Sequence, residues 1–398
     1  MKKVFPYLYG LLILSQFMVG QLYLPGLPLN ILQIITLLML AFCIVMDRKI
    51  PNDKYIILYS LFLLFYLISA LFTGYTDTLL GGVIPQVMVS FTVFWATKIL
   101  IQRYDTLSPL VIPVVIAGVV DSIVTIFQAM GQPILSPYIV MLMQNTEALD
   151  VANDGMLGAS ISGLFMNPVF NGHALLFCFV TSLFALQGKH KLITFTSSIV
   201  ILVGLFFCQQ RSAFYLSLIV LLIVGWKYMQ KNLKTKLLVI ISLLFAIFYL
   251  LPWIESYAID SGSRLVDTDL TSREEIWSAA SNFLSENWFW GGFDKFVHEY
   301  GRFPHNLVFS AYFAGGLIGG TILMVLIVML LINSLKSLRY SDKNNITLLV
   351  SLCLIVVLIA DSFTHNTGLV EADFSTILAM SLCYYYNVQN PKKILKTF

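Results

Sequence analysis

Of 398 residues, 58% are hydrophobic and only 11% are charged, with a formal net charge of +3. Soluble domains run near 45–50% apolar and about 25% charged, so this composition excludes a soluble globular fold and marks an integral membrane protein. The positive balance comes mostly from short basic loops between apolar runs, which gives no support to nucleic-acid binding.

The N-terminal MKK leads into an apolar run at about 6–23. Its "MVGQLYLPG" end has no clear small-x-small cleavage site, so it reads as a retained first span and not as a signal peptide. Further runs near the roughly 20 residues that cross a bilayer as helix follow at about 29–46, 55–73, 81–101, 109–129, 169–187, 192–210, 212–229, 237–252, 306–333, 346–362 and 374–388. The expected fold class is all-α, a polytopic transmembrane helical bundle of about 12 spans with both termini on one side. Basic residues are retained in cytoplasmic loops, and a cytoplasmic N-terminus places 19 of the 24 lysines and arginines inside. Only Arg211, Arg264, Arg273, Lys295 and Arg302 then face outward. Cys43, Cys178, Cys208, Cys353 and Cys383 all fall in these runs without CxxC spacing, so they read as packing residues, with neither disulfide nor metal implied. No linker, charge block or internal repeat divides the chain, and residues 1–398 read as a single transmembrane domain.

Two outward segments, about 130–168 and 253–305, are long enough to carry function. In the second, Thr271 or Ser272 suits a helix cap, with Glu274 or Glu275 three residues on. Ile276, Trp277, Ala280, Phe283, Leu284 and Trp288 follow at helical spacing. They predict an amphipathic helix along the outer membrane face, with Trp288 and Trp290 as interfacial anchors and Gly291-Gly292 as its terminator.

Arg211, in "FFCQQRSAFYLSLIV", is either an interfacial arginine snorkelling to water or an anion binder at the mouth of the bundle, where its planar fork suits phosphate oxygens. Arg273 beside Glu274 and Glu275 reads alone as a surface ion pair, and Arg264 in "DSGSRLVD" is ambiguous. Together the three arginines form a candidate basic pocket. His305 stands at the threshold of the tenth run beside Asn306 and Arg302, and imidazole titrates close enough to neutrality to take a hydroxyl proton. A structural role for that histidine stays open, and His298 sits in an ordinary polar stretch. Asp267 and Asp269 in "VDTDL" read as turn and solvation residues. Asp121 and Asp361, the acids nearest to span interiors, read as lying near span ends.

Taken in order, Arg211 at a short outward turn, Arg273 and Trp277 as R-x-x-x-W, the "WFWGG" stretch, and His305-Asn306 followed by Gly316 and Gly319 resemble the O-antigen ligase and polymerase superfamily. "SGLFMNPVF" is similar to that family's Gly-Phe-x-Asn-Pro segment through Gly163, Phe165, Asn167 and Pro168, while Ser272 stands where many members have Gly. The resemblance implies a GT-C-like bundle whose catalytic loop is residues 253–305. It implies an undecaprenyl-diphosphate-linked oligosaccharide donor, a lipid-linked glycan acceptor, no cofactor and no metal, in the bacterial cytoplasmic (inner) membrane with both termini cytoplasmic. A chain-length regulator, a flippase and membrane lipids are the implied partners. By the same resemblance His305, Arg211 and Arg273 carry catalysis, and Arg264, Arg302, Asn306, Asn167 and Trp277 join Arg211 and Arg273 in binding substrate. Polymerase is the leading expectation, O-antigen ligase the second. A lipid-linked glycan transporter is the third, and it predicts ionisable groups deep in the spans or broken helices.

Overall fold

The computed structural model describes residues 4–18, 29–47, 54–73, 83–104, 106–132, 161, 163–165, 168–184, 191–228, 271–301, 304, 306–340 and 346–362. The described elements are helical: α1 (Val4–Met18), α2 (Ile31–Met46), α3 (Lys54–Phe72), α4 (Ile84–Ile99), α5 (Ser108–Ala129), α6 (Pro168–Ser182), α7 (Lys191–Cys208), α8 (Arg211–Tyr228), α9 (Thr271–Asn287), α10 (Phe293–Tyr300), α11 (Leu307–Tyr340) and α12 (Ile346–Ser362). Among the described residues four stretches, Lys54–Phe72, Ile84–Tyr104, Ser108–Ala129 and Leu307–Lys336, are long and apolar enough to cross a membrane, and six further helices are apolar but shorter. The expected spans at 237–252 and 374–388 lie outside the described residues.

Polar and apolar side chains are arranged as a lipid solvent demands. Leu37, Leu38, Ile44, Leu64, Ile116, Ile123, Val328 and Ile332 are exposed on their helices, while Ser69, Thr97, Ser122, Thr125 and Asn171 are buried. Hydrocarbon accepts the first set at no cost, and the second needs partners inside.

The helices gather into two compact units. The first comprises residues 1–110, 269–341 and 354–396, and the second residues 111–268, 342–353 and 397–398. In the first unit, Asn30 caps α2 through a reciprocal pair: its Oδ1 accepts from the Gln33 amide at 2.8 Å while Gln33 Oε1 accepts from the Asn30 amide at 3.1 Å. The Tyr9 hydroxyl pairs with Thr97 Oγ1 at 2.7 Å, joining α1 to α4. At the far end of α2, Asp47 accepts from Trp95 Nε1 at 3.3 Å and meets Arg103 at 3.2 Å and Lys98 at 3.9 Å. That ion cluster accounts for two of the basic residues assigned to the inner side.

α3 and α11 pack closely because glycines line the contact. A Cβ on Gly319 would lie 2.7 Å from Phe65 Cβ, and one on Gly315 3.4 Å from the Phe62 ring. Small residues four apart let the backbone of one membrane helix approach the side chains of the next.

α11 is not continuous. Gly316 has φ 60° and ψ −165°, which breaks the helix after its first nine residues.

Candidate functional site

The helix expected to face outward extends over Thr271–Asn287 and ends four residues before Gly291-Gly292. Part of its apolar stripe turns towards the protein. Ala280 and Phe283 are buried, and the Phe283 ring stands edge-on to Phe296 of α10 at 5.3 Å and to Phe313 of α11 at 5.1 Å. Lys295 of α10 donates to Asn287 Oδ1 at 3.0 Å and lies over the Phe283 ring, fastening α10 back to the end of α9. Trp288 stays exposed, whereas Trp290 stacks on Phe72 of α3 with ring centroids 4.2 Å apart.

The glycine pair closes the last turn, the Gly291 amide donating to Asn287 O at 2.8 Å with φ 76°, and has a second task besides. A break in a membrane helix orphans amides and carbonyls that hydrocarbon cannot satisfy. Here the segment after α9 supplies them: the Gly292 amide donates to Phe313 O at 2.7 Å, and the Leu317 amide donates to Phe289 O at 3.2 Å. Ser69 of α3 completes the clasp by donating to Trp290 O at 2.6 Å. Side chains have no room at the crossing, since a Cβ on Gly316 would meet Phe289 O and one on Gly291 would meet Phe313 O. "WFWGG" and the Gly316 break are thus two halves of one backbone joint.

The N-terminal piece of α11 is set by Asn306. Its Oδ1 accepts from the amides of Val308 at 2.9 Å and Phe309 at 3.4 Å, which satisfies donors that a helix start leaves free. Trp277, one turn past Arg273 on α9, donates its Nε1–H to the carbonyl of Pro304 at 3.1 Å. Pro304 is the residue before His305, so the R-x-x-x-W helix is tied to the segment that leads into His305-Asn306. At the C-terminal end of α10 the Tyr300 phenol is raised above the ordinary tyrosine range, by desolvation first and then by the negative charges of Glu299 and Glu286.

Arg211 belongs to the second unit. It is the first residue of α8, immediately after the turn Gln209-Gln210, where Gln209 has a left-handed φ of 59° and the Phe214 amide returns to Gln210 O at 2.9 Å. The side chains of Arg211 and Arg273 lie outside the described residues, as do Asn167, Arg264, Arg302 and His305 and the proposed caps Thr271 and Ser272. Within the first unit, then, the structure brings together Trp277, Pro304, Asn306 and the glycine joint.

Residues 196–324 match the family model of O-antigen ligase. The matched range contains Arg211, Arg273, Trp277, His305, Asn306, Gly316 and Gly319. It supports the superfamily of O-antigen ligases and polymerases and a glycosyltransferase-like ligase or polymerase activity in an integral membrane protein. No curated protein matches the chain.

Sequence reasoning missed two features of these units. The joint pairs residues about 25 apart in sequence, and no local pattern signals a backbone hydrogen bond to Phe289 O or Phe313 O. Asp121, expected near a span end, is buried well inside α5.

Proposed function

We propose that the protein is a polysaccharide repeat-unit polymerase acting at the outer face of the bacterial cytoplasmic membrane. It transfers the growing glycan from undecaprenyl diphosphate to a hydroxyl of the next lipid-linked repeat unit. The observation that carries this reading is the O-antigen ligase match over 196–324, which takes in every residue assigned to catalysis. The Trp277 to Pro304 hydrogen bond adds support, because it ties the helix bearing Arg273 to the residue preceding His305.

In this reading His305 takes the proton of the acceptor hydroxyl as its oxygen attacks the anomeric carbon. The carbon–oxygen bond to the diphosphate breaks, and undecaprenyl diphosphate leaves with the electron pair. Arg211 and Arg273 stabilise the charge growing on that leaving group, the task for which guanidinium forks suit phosphate oxygens. Direct displacement inverts the anomeric centre.

Two other readings each have an observation in their favour. The description of the matched family favours a ligase, which uses the same donor but a lipid A core acceptor. The break at Gly316 and the buried Asp121 are the broken helix and deep acid that a glycan transporter predicts. Both have local explanations: the break is filled by protein backbone, and Asp121 accepts from a backbone amide.

The test is to supply purified protein with the undecaprenyl-diphosphate repeat unit and resolve the products on a gel, alongside Arg211→Ala and His305→Ala. A ladder of lengthening chains that both variants lose is the expected result. Transfer only when lipid A core is added makes it a ligase. Donor binding with no transfer in either assay favours the transporter.

A further inference from the structure

The second unit contains a buried polar cluster that the proposed chemistry does not use. Asp121, Thr125 and Gln128 fall at i, i+4 and i+7 on α5, one face of the helix. Each is buried; Asp121 and Gln128 engage a single short segment of main chain before α6, and Thr125 engages a side chain of α6 itself. Asp121 Oδ1 accepts from the Leu164 amide at 2.8 Å. Gln128 holds Gly163 at both ends, accepting from its amide at 2.9 Å and donating to its carbonyl at 3.1 Å. Asn171 of α6 bridges the two sides, its Nδ2 donating to Thr125 Oγ1 and to Ile161 O, both at 3.1 Å. Gly163 adopts φ +55°, and a Cβ there would lie 2.5 Å from Asp121 Oδ1 and 2.6 Å from Asn171 Nδ2.

The same segment is fastened to the turn that carries Arg211. Cys208, the last residue of α7, donates its Sγ–H to Ile161 O at 3.5 Å. Gly172, next to Asn171, faces that turn so closely that a Cβ would lie 2.5 Å from Gln210 Cβ and 3.5 Å from Cys208 Sγ. Side chains of α5 thus hold Gly163 and Leu164, Asn171 holds Ile161, and Ile161 with the start of α6 holds Cys208 and Gln210. Arg211 begins α8 at the next position.

We propose that Asp121, Gln128 and Asn171 are positioning residues that set the Arg211 turn for the diphosphate of the lipid donor. This rests on the reading of Arg211 as a diphosphate binder. The role asked of Asp121 is that of an acceptor, which an asparagine Oδ1 supplies equally. Asp121 Oδ2 and Asn171 Oδ1 are buried acceptors with no hydrogen-bond partner among the described residues, so a carboxamide at 121 adds a donor where acceptors are in excess.

The test is a double-mutant cycle on the full chain in detergent, with undecaprenyl diphosphate as the probe and its dissociation constant as the readout. Asp121→Leu is expected to weaken binding about tenfold or more in the wild-type background and by less than about threefold beside Arg211→Ala, because the two act through one contact. Asp121→Asn is expected to bind within about twofold of wild type, by retention of the acceptor. Equal losses in both backgrounds overturn the proposal, as does Asp121→Asn failing like Asp121→Leu, or a wild type that does not bind the probe. If Asp121→Leu does not elute as a folded species, Gln128→Leu and Asn171→Leu enter the same cycle. Glycan transfer is measured separately: binding coupled as expected in a protein that transfers nothing refutes the polymerase and ligase readings while leaving this inference standing.

Discussion

At Gly316 the obstacle to any side chain is main chain, the carbonyl of Phe289, whereas at Gly163 the obstacles are the side chains of Asp121 and Asn171. The two glycines have nearly the same φ, 60° and 55°. Their surroundings differ in what can yield. The Phe289 carbonyl accepts from Leu317 and is fixed beside a helix break, so moving it orphans the Leu317 amide. Asp121 and Asn171 can rotate, at the cost of one hydrogen bond for the first and two for the second. Gly301 completes a series: φ is 65°, and a Cβ there would meet nothing within 4 Å.

The series is broken or sharpened by alanine at each position, followed by unfolding in detergent. Gly316→Ala is expected to cost the most, about 4 kcal/mol or more, since its φ 60°, ψ −165° is open essentially to glycine alone and that strain adds to overlap with fixed backbone. Gly163→Ala is expected to cost about 2–3 kcal/mol, with part of the loss recovered when Asn171→Ala clears one obstacle. Gly301→Ala bears the strain alone, about 1–2 kcal/mol. Equal costs at the three positions would mean that φ, and not the surroundings, decides. Trp277→Phe keeps the ring but drops the bond to Pro304, an expected loss of about 1 kcal/mol together with reduced glycan transfer. The smallest effect concerns Tyr300. A folded-state value above the unfolded one means that the native protein binds more protons as pH rises through the ordinary tyrosine range near 10, so stability falls there. Tyr300→Phe is expected to flatten that alkaline decline and to leave the stability below pH 9 unchanged.

The helical class and most helix positions are legible because apolar runs are local signals. Runs read at 109–129, 212–229 and 346–362 appear as α5, α8 and α12 within a residue or two. The stripe on α9 was legible by spacing, yet its partners were not. Phe296 and Phe313 meet Phe283 only through tertiary packing. The Gly291-Gly292 pair carries the ordinary mark of a helix end and closes the last turn onto Asn287, but its close backbone approach to α11 has no local signal. The sequence reads Asp121 as lying near a span end, whereas inside a span a buried acid is costly without a donor. That donor, the Leu164 amide, is 43 positions away in sequence and invisible to any local pattern. Asn306 was chosen for substrate binding by resemblance, and the structure commits its carboxamide oxygen to capping α11. His305, Arg211, Arg264, Arg273 and Arg302 rest on their sequence positions and on the resemblance, since their side chains lie outside the described residues.

The break in α11 also bears on how the chain fits the thickness of a bilayer. Leu307–Lys336 is a mainly apolar stretch of 30 residues, which as one straight helix would reach about 45 Å, against a hydrocarbon core of about 30 Å. Tilting alone would have to absorb a third of that length. With the bend at Gly316, the 20 residues beyond it come to about 30 Å and match the core by themselves. The leading nine residues, 307–315, are then released from spanning duty.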